Sequence, residues 1–353
     1  MKTVVIVYSS VTGNTKHVAE VIAETLARED GTDDTFSGDA ITTVLVNADT
    51  EYKRQHTNPE YTGYTAGDAY VVGCTTAAFR TSDLMREYLA GYPRDMMEGK
   101  PCAVYGMCAG TAGYVRRELA NLLRGNGAVI CAHDVFKGPT NYLAGGYPKA
   151  GKLQVWPEAD HTPIQAFAEG LTSAFDRAVA DPQMKCKVPL GGVSGAIFRM
   201  VPGKKIDGMM RMSLGPLSVD NTRCLRCAKC VVSCPYGALA MVEAEGAVPF
   251  DPTYVEPGTG YYPDRQENTE YVQSRIAAGV NSTRVVVQDE ALCHGCYRCI
   301  HVCPTAAINP TKRMDKWKHM PRYHYTEGTV QSGKARMVTE TEYDALVTGE
   351  QEM

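Results

Sequence analysis

The chain carries the same cysteine pattern twice, C-x₂-C-x₂-C-x₃-C followed directly by proline. The two runs are Cys224, Cys227, Cys230 and Cys234, and Cys293, Cys296, Cys299 and Cys303. Three thiolates at this spacing can bind three irons of one cubane cluster, and where two such runs occur the fourth cysteine ligates the other cluster. We therefore predict two [4Fe–4S] clusters with crossed ligands. Cluster I is assigned to Cys224, Cys227, Cys230 and Cys303, and cluster II to Cys293, Cys296, Cys299 and Cys234.

Two structural zinc ions are the alternative for these eight cysteines, because Cys₄ zinc sites are common. Zinc sites generally use two separated C-x-x-C pairs, so a triple run with a trailing Cys-Pro favours iron–sulfur clusters. His294, Arg298 and His301 stand within the second run, and we interpret them as solvated or hydrogen-bonding side chains rather than ligands.

Removing the eight cysteines of the runs from the total of 13 leaves five, an odd number. The first ten residues have the pattern of a strand rather than of a secretory signal, so a disulfide framework is not expected. No apolar run approaches the roughly 20 residues needed to span a bilayer. These features predict a reducing, anaerobic cytoplasm as the setting of the protein.

The composition and charge bear on the class of protein and of partner. The chain has 353 residues, of which 44% are hydrophobic and 22% charged, as in ordinary soluble proteins of two domains. Its formal net charge is -4, and eight thiolates around two oxidised clusters would make the loaded protein more acidic. A protein of this charge is not expected to bind nucleic acid.

A polar loop follows the first apolar run of the chain and leads into a helical pattern. It reads Ser9-Ser10-Val11-Thr12-Gly13-Asn14-Thr15. Hydroxyl and backbone N–H groups at a helix N-terminus form an anion site, which the helix dipole strengthens. The loop lacks the lysine of a Walker loop and the G-x-G-x-x-G of a dinucleotide site, so it suits a terminal monophosphate held by neutral donors. A plain helix N-cap by Ser10 or Thr12 beside a glycine turn is the alternative.

These residues require a framework of alternating strands and helices. Short apolar, β-branched runs predict five strands buried in a parallel sheet, namely Thr3–Tyr8, Thr43–Val46, Ala69–Val72, Ala103–Tyr105 and Ala128–Ala132. Apolar side chains between these runs recur with helical spacing, and residues 164–179 form a last helix. The alternation predicts an α/β doubly wound sheet that binds its ligands at the carboxyl ends of the strands.

The stretch Ser10-x-Thr12-Gly13-Asn14-Thr15, at this position, resembles the FMN phosphate loop of flavodoxins. Together with the two cysteine runs that follow, it resembles the EFR1-type flavodoxin–ferredoxin fusion family over residues 1–182 and 215–310. The resemblance implies one FMN and a flavodoxin-like, five-stranded parallel sheet of order 2-1-3-4-5. It also implies a small α+β ferredoxin domain, with its two [4Fe–4S] clusters, after that sheet.

The same resemblance implies two further loops, which in flavodoxins sandwich the isoalloxazine ring. The loop after the third strand contains Thr75, Thr76, Ala77, Ala78 and Phe79. The loop after the fourth strand contains Met107, Cys108, Ala109, Gly110, Gly113 and Tyr114. Ala77 stands where the family usually has an aromatic residue, and Tyr114 either covers the other face of the ring or packs in the core. We interpret Cys74 and Cys108 as small buried side chains bordering the site.

Composition predicts the remaining boundaries of the chain. Residues 183–214 form a basic linker rich in Pro, Gly and Met, for which interdomain packing is favoured over docking of an acidic redox partner and over a peripheral membrane contact. Residues 243–284 form an insertion in the ferredoxin domain, and loops of this length are usually functional or disordered. We interpret the insertion as a cap over one cluster or an interface, and residues 311–353 as a surface-hugging or disordered tail.

FMN exchanges one or two electrons and each cluster exchanges one, so together they convert between two-electron and one-electron carriers. The predicted function is electron transfer between a ferredoxin-type donor and a redox enzyme. The alternative is a reductase in which the clusters feed FMN and FMN reduces a quinone or another small organic acceptor. The absence of an NAD(P)H-binding motif and of a proton-donor constellation from the sequence favours the first function.

Overall fold

The computed structural model describes residues 1–27, 36, 38–58, 60–61, 63–76, 80–108, 113–138, 161–200, 215–244, 250–251, 261–262, 265–280, 283–312 and 322–323. These residues belong to two compact units, the first ending at residue 200 and the second beginning at residue 215. Much of the predicted tail, and parts of the predicted linker and insertion, lie outside the described residues.

The first unit is built on one parallel sheet with the strand order β2-β1-β3-β4-β5. Its strands are β1 (Lys2–Ser9), β2 (Ile41–Asn47), β3 (Ala69–Thr75), β4 (Pro101–Cys108) and β5 (Val129–Lys137). All eight residues of β4 are buried, because this strand has neighbours on both sides and helices on both faces. The predicted flavodoxin-like, doubly wound sheet is confirmed, and each strand is longer than its apolar run.

Two layers of helices cover the sheet. The helices are α1 (Asn14–Leu26), α2 (Ala48–Thr57), α3 (Asp83–Ala90), α4 (Arg94–Met97), α5 (Val115–Gly125), α6 (His161–Ala180) and α7 (Gly192–Phe198). Helix α1 packs against α6, while α3 packs against both α2 and α5. In α1 the apolar side chains Val18, Ile22 and Leu26 recur at every fourth position and are buried, which is the pattern of a helix with one face on the core.

The register of the sheet brings the carboxyl ends of its strands to one edge. Ser9 at the end of β1 stands opposite Cys74 of β3, and Tyr8 stands opposite Asn47 at the end of β2. Thr75 at the end of β3 stands opposite Met107 of β4. The three loops that the sequence assigns to the cofactor therefore begin beside one another, as the topology of a parallel sheet requires.

The second unit contains two halves of the same construction. The first half consists of β6 (Leu217–Val219), α8 (Lys229–Ser233) and β7 (Leu239–Glu243), and the second of β9 (Arg284–Gln288), α10 (Arg298–His301) and β10 (Ile308–Pro310). Strand β6 pairs with β10 and β7 pairs with β9, both antiparallel. Each half therefore completes a sheet begun by the other half, as the internal repeat of the sequence predicts.

Part of the predicted insertion lies between these halves. It contains the two-residue strand β8 (Tyr261–Tyr262) and α9 (Arg265–Ala277), and β8 pairs in parallel with β11 (Arg322–Tyr323). The sequence predicts a helix over residues 267–278, and α9 occupies almost the same range. None of the helices in the described part of the chain has the length and apolar composition to cross a membrane.

Candidate functional site

The polar loop after β1 enters α1 through a left-handed residue. Gly13 is the N-cap of α1 with φ 92°, a conformation that favours glycine, and no side chain caps this helix. The alternative of an N-cap by Ser10 or Thr12 is therefore wrong. The N-terminus of a helix attracts anions through its first N–H groups and its dipole, and α1 begins directly after this loop.

Hydroxyl groups of this loop are buried. Ser9, Ser10, Thr12 and Thr15 are at most 8% exposed, whereas Val11 is half-buried. The Asn14 amide donates to Thr12 Oγ1 at 3.4 Å, but the buried Oγ1 of Thr15 makes no hydrogen bond with any described residue. A buried hydroxyl without a partner costs free energy, so the loop lacks a polar group that a phosphate oxygen could supply.

Asp49 holds this loop in place, and the sequence analysis missed it. Ser9 Oγ donates to Asp49 Oδ1 at 2.7 Å, and the Ser10 backbone N–H donates to Asp49 Oδ2 at 3.2 Å. The carboxylate is 3% exposed and lies in the first turn of α2. It follows β2, which borders β1, so a polar residue after a strand at the same sheet edge is the signal that could have found it.

The two further predicted loops are described in part. Thr75 and Thr76 are half-buried, and the Thr76 N–H donates to the Met107 carbonyl at 2.9 Å, which joins the start of one loop to the other. Met107 and Cys108 are buried, and Gly113 has φ 55°. Residues of these loops that lie outside the described part are Ala77, Ala78, Phe79, Ala109 and Gly110.

Tyr114 packs within the first unit. Its side chain is 8% exposed, and its hydroxyl accepts a hydrogen bond from the Asn121 amide at 3.2 Å. The Arg80 guanidinium lies 5.7 Å from the centre of the Tyr114 ring. Of the two roles that the sequence leaves open for this residue, these contacts favour packing.

A buried ion pair joins the residues that follow the two flavin loops. Both oxygens of Glu118 in α5 accept hydrogen bonds from Arg80, and Oε2 also accepts from the Thr81 N–H at 3.0 Å. The side chains of Arg80 and Glu118 are 12% and 7% exposed. Such a bidentate pair fixes the relative position of its two partners, so it sets the spacing between the two loops. Arg80 and Glu118 were not predicted, because a pairing across this sequence distance leaves no local signal.

The cysteines bordering this edge are protonated, apolar-like side chains. Cys74 is fully buried, and burial raises the pKa of its thiol to about 11, while its sulfur lies 3.6 Å from Ser82 Oγ. Burial also raises the pKa of Cys108. A thiol with a raised pKa is a poor nucleophile at neutral pH, in agreement with the expectation of small buried side chains.

The predicted linker begins by packing against the first unit. Arg117 and Arg124 of α5 donate to the carbonyls of Val188 and Cys186, each at 2.6 Å. Gly191, with φ 84°, lies so close to Gly113 that an added Cβ would overlap the Gly113 carbonyl. The segment thus follows α5 to the end of the second flavin loop, where α7 begins, and the sequence did not predict this helix.

In the second unit, equivalent residues of the two cysteine runs share an unusual backbone conformation. Three positions per run have positive φ, namely Arg226, Ala228 and Gly237 in the first and Gly295, Tyr297 and Ala306 in the second. Four of these six residues are not glycine, although left-handed conformations cost free energy for other residues. The repeat of this conformation indicates that both runs are shaped to turn their thiols inward.

The structure places the fourth cysteine of each run near the other run. Cys234 lines one cavity together with Cys293, Cys296 and Cys299. Burial raises the pKa of Cys230, and the neighbouring thiols of Cys303, Cys224 and Cys227 raise it further. Cys234 thus faces the second run, and Cys303 lies close to the first.

Most cysteines of the two runs are buried, among them Cys224, Cys230, Cys234, Cys299 and Cys303. Burial raises the pKa of Cys224 to about 11 and that of Cys296 to about 12, so metal binding must displace protons from them. In a cubane each thiolate would bind a different iron.

The insertion helix α9 lies on the first cysteine run. The Lys229 ammonium is 3.8 Å from the centre of the Tyr271 ring, and the Tyr271 hydroxyl hydrogen-bonds Cys227. Burial, and then the neighbouring Cys227, raises the pKa of Tyr271 to about 12. The described part of the insertion therefore lies beside Cys227 and Lys229 of the first run, and its role as a cap over a cluster stays a prediction.

The two histidines of the second run differ in their surroundings. His294 stacks on Tyr236 with ring centres 4.0 Å apart and an interplanar angle of 8°. His301 has no exposed surface, so it is not a solvated side chain. Its helix α10 packs into the centre of the unit, where Cys299 and Ile300 are also buried.

Comparison with known proteins identifies the second unit. Residues 223–307, which include all eight cysteines of the two runs, match the model of the 4Fe–4S dicluster domain family. A search of curated proteins found no match to the chain.

Solved structures similar to this chain include an oxidoreductase from Corynebacterium diphtheriae, with 15% identity, a TM-score of 0.35, and coverage of 50% of this chain and 98% of that one. They also include a flavodoxin from the domain Archaea, with 17% identity, a TM-score of 0.30, and coverage of 48% and 96%. Rubredoxin oxygen:oxidoreductase from the anaerobe Desulfovibrio gigas has 19% identity and a TM-score of 0.34, with coverage of 51% and 37%. At these values the likenesses carry no argument about what this chain binds.

The phosphate loop can be tested by removing two of its hydroxyls. Replacing Thr12 and Thr15 together by Ala should weaken FMN binding at least about tenfold, because hydrogen bonds to a charged group contribute roughly 1.5–3 kcal/mol each. Riboflavin, which has no phosphate, should bind the natural protein much more weakly than FMN. Flavin fluorescence quenching measures both affinities.

The control for this test is Thr25→Ala on the same helix. The Thr25 hydroxyl donates to the Val21 carbonyl at 2.8 Å, one turn back along α1, so this change should leave FMN affinity unaltered. Equal binding of FMN and riboflavin by the natural protein would contradict the phosphate role.

Pairs of cysteine substitutions test the crossed ligand sets. If Cys234 and Cys293 ligate the same cluster, the double variant with serine at both positions should lose no more than the roughly four irons of one cluster. The double variant at Cys234 and Cys224 should lose both clusters. Iron analysis after anaerobic reconstitution gives the counts, and the reverse pattern would show that each run binds its own cluster.

Proposed function

We propose that this chain is an electron-transfer protein that passes low-potential electrons between two [4Fe–4S] clusters and FMN. The observation that carries the proposal is the match of residues 223–307, with all eight cysteines of the repeated run, to a 4Fe–4S dicluster domain. The position of Cys234 beside the second run and of Cys303 beside the first supports it. When bound, such clusters supply one-electron chemistry. The cysteines of this chain would hold them and the surrounding apolar side chains would limit their contact with water.

The first unit supports the proposal through its phosphate loop. The buried Thr15 hydroxyl and the N-terminus of α1 lie beside loop backbone that the Asp49 carboxylate anchors, and we propose that they hold a phosphate without a basic residue in the loop. This proposed phosphate site lies at the sheet edge where Thr75, Thr76, Met107 and Cys108 begin the other two loops. A planar cofactor with a terminal monophosphate fits this combination, and we propose FMN.

The partners we propose are redox proteins, namely a ferredoxin-type donor and a redox enzyme in the cytoplasm. Membership of the EFR1-type flavodoxin–ferredoxin fusion family, proposed from the phosphate loop and the cysteine runs, agrees with this role. The protein would then convert between the two-electron chemistry of FMN and the one-electron chemistry of its partners.

Cofactor analysis of the full-length protein tests the proposal. Anaerobic reconstitution should give about eight irons, about eight acid-labile sulfides and one FMN per chain. Binding of about two zinc ions without sulfide would contradict it. Steady reduction of a quinone by the loaded protein, lost in a variant without clusters, would support the reductase instead.

A further inference from the structure

The two cysteine runs carry different charges. Residues 220–234 contain Asp220 and three basic residues, whereas the equivalent residues 289–303 contain two acidic residues and one basic residue, leaving histidine aside. Lys229 and Arg298 occupy equivalent positions and do not distinguish the runs. Two of the three charges of difference come from Arg223 and Arg226, which correspond to Leu292 and Gly295, and the third comes from Glu290, which corresponds to Asn221.

Arg226 lies within the first run and is 8% exposed. Its Nη1 donates to the carbonyl of Asn221 at 2.6 Å and to the carbonyl of Cys224, and its Nε donates to the carbonyl of Arg284 at 3.0 Å. These three acceptors hold the guanidinium against the backbone of a cluster I ligand. Its positive charge is therefore fixed beside cluster I and shielded from solvent.

The backbone of Arg226 has a left-handed conformation that is unusual for arginine. Arg226 has φ 50°, and its counterpart Gly295 has φ 72°. Glycine adopts such a conformation without a steric cost, whereas arginine pays for it. A strained residue where the equivalent loop has glycine is the kind of outlier that indicates a functional constraint.

Arg223 adds a second buried cation next to Cys224. It is 5% exposed, and its Nε and Nη2 make no hydrogen bond. Burying a charge without partners is costly unless an opposite charge lies nearby. Its counterpart Leu292 is 48% exposed and uncharged, so the surroundings of the second run hold no equivalent group at this position.

We propose that Arg223 and Arg226 raise the reduction potential of cluster I above that of cluster II, so that an electron entering the second unit comes to rest on cluster I. This inference rests on the proposed function, because it requires both clusters to be bound. A reduced cluster carries one more negative charge than an oxidised one, and a fixed nearby cation favours the reduced form.

The resulting transfer is a balanced one-electron step. Cluster II returns from the 1+ to the 2+ core as cluster I goes from 2+ to 1+, and no bond forms or breaks. The two arginines act on cluster I through their positive charge and do not bind its irons. Their effect gives the pair of clusters a direction, from cluster II to cluster I.

The test measures both cluster potentials in the full-length, reconstituted protein by redox titration followed by EPR. Arg226→Gly recreates the second run at this position and suits the positive φ, so it should fold. At a given solution potential, it should lower the reduced-to-oxidised ratio of cluster I at least about threefold, which corresponds to a fall of about 30 mV in the higher potential of a one-electron centre. The lower potential should not change. Arg223→Leu should act in the same direction.

Conservative variants separate charge from hydrogen bonding. Arg226→Lys keeps the charge and should retain more of the higher potential than Arg226→Gln, which keeps donors without charge. The reciprocal Gly295→Arg should raise the lower potential. Arg94→Gly, which removes an exposed arginine of the first unit, should shift neither potential.

The outcomes separate this inference from the proposed function. Arg226→Gly protein with two clusters and unshifted potentials, or with a shift only in the lower potential, overturns the inference and leaves the proposed function standing. Protein that binds zinc without sulfide overturns both.

Discussion

The pairing of strands between the two halves is the constraint on which the second unit depends. If the fourth cysteine of each run ligates the other cluster, as the sequence predicts, Cys234 must reach the second run and Cys303 the first. The pairing of β6 with β10 and of β7 with β9 meets this requirement, because each half supplies a strand to the other. Left-handed residues at equivalent positions of both runs then turn the thiols inward, at a backbone cost that the bound clusters can offset.

The first unit must hold its proposed phosphate with few charged groups. Its phosphate loop has no basic residue among Ser9 to Thr15, so an anion must be held by hydroxyls, N–H groups and the helix terminus. Asp49 fixes the start of the loop, and the Tyr105 hydroxyl, from β4, donates to the Thr15 carbonyl at 3.0 Å. The Arg80–Glu118 ion pair likewise fixes the relative position of the residues that follow the two neighbouring loops. These contacts hold parts of the proposed site in place, and a site that is ordered before binding loses less entropy when its ligand binds.

Local patterns in the sequence predicted the strands and most helices, because each depends on spacing along the chain, while the crossed cysteine sets remain a prediction. The strands extend beyond their apolar runs, as in β3, where Gly73, Cys74 and Thr75 stay extended through pairing with β4. Helix α7 was missed because its sequence, with two glycines, has low helix propensity. Asp49, Glu118 and the Arg226–Arg284 contact were missed because each joins residues that are distant in sequence. Ala77, Ala78, Phe79, Ala109 and Gly110 remain predictions.

The central claim is that the clusters and FMN exchange electrons within one chain. Rapid photoreduction of the reconstituted, full-length protein, with cluster and flavin absorbance followed over time, tests it directly. The account predicts that flavin reduction follows cluster reduction at a rate that does not change when the protein is diluted tenfold. A flavin reduction rate that falls in proportion to protein concentration, or a flavin that stays oxidised while the clusters are reduced, would contradict it.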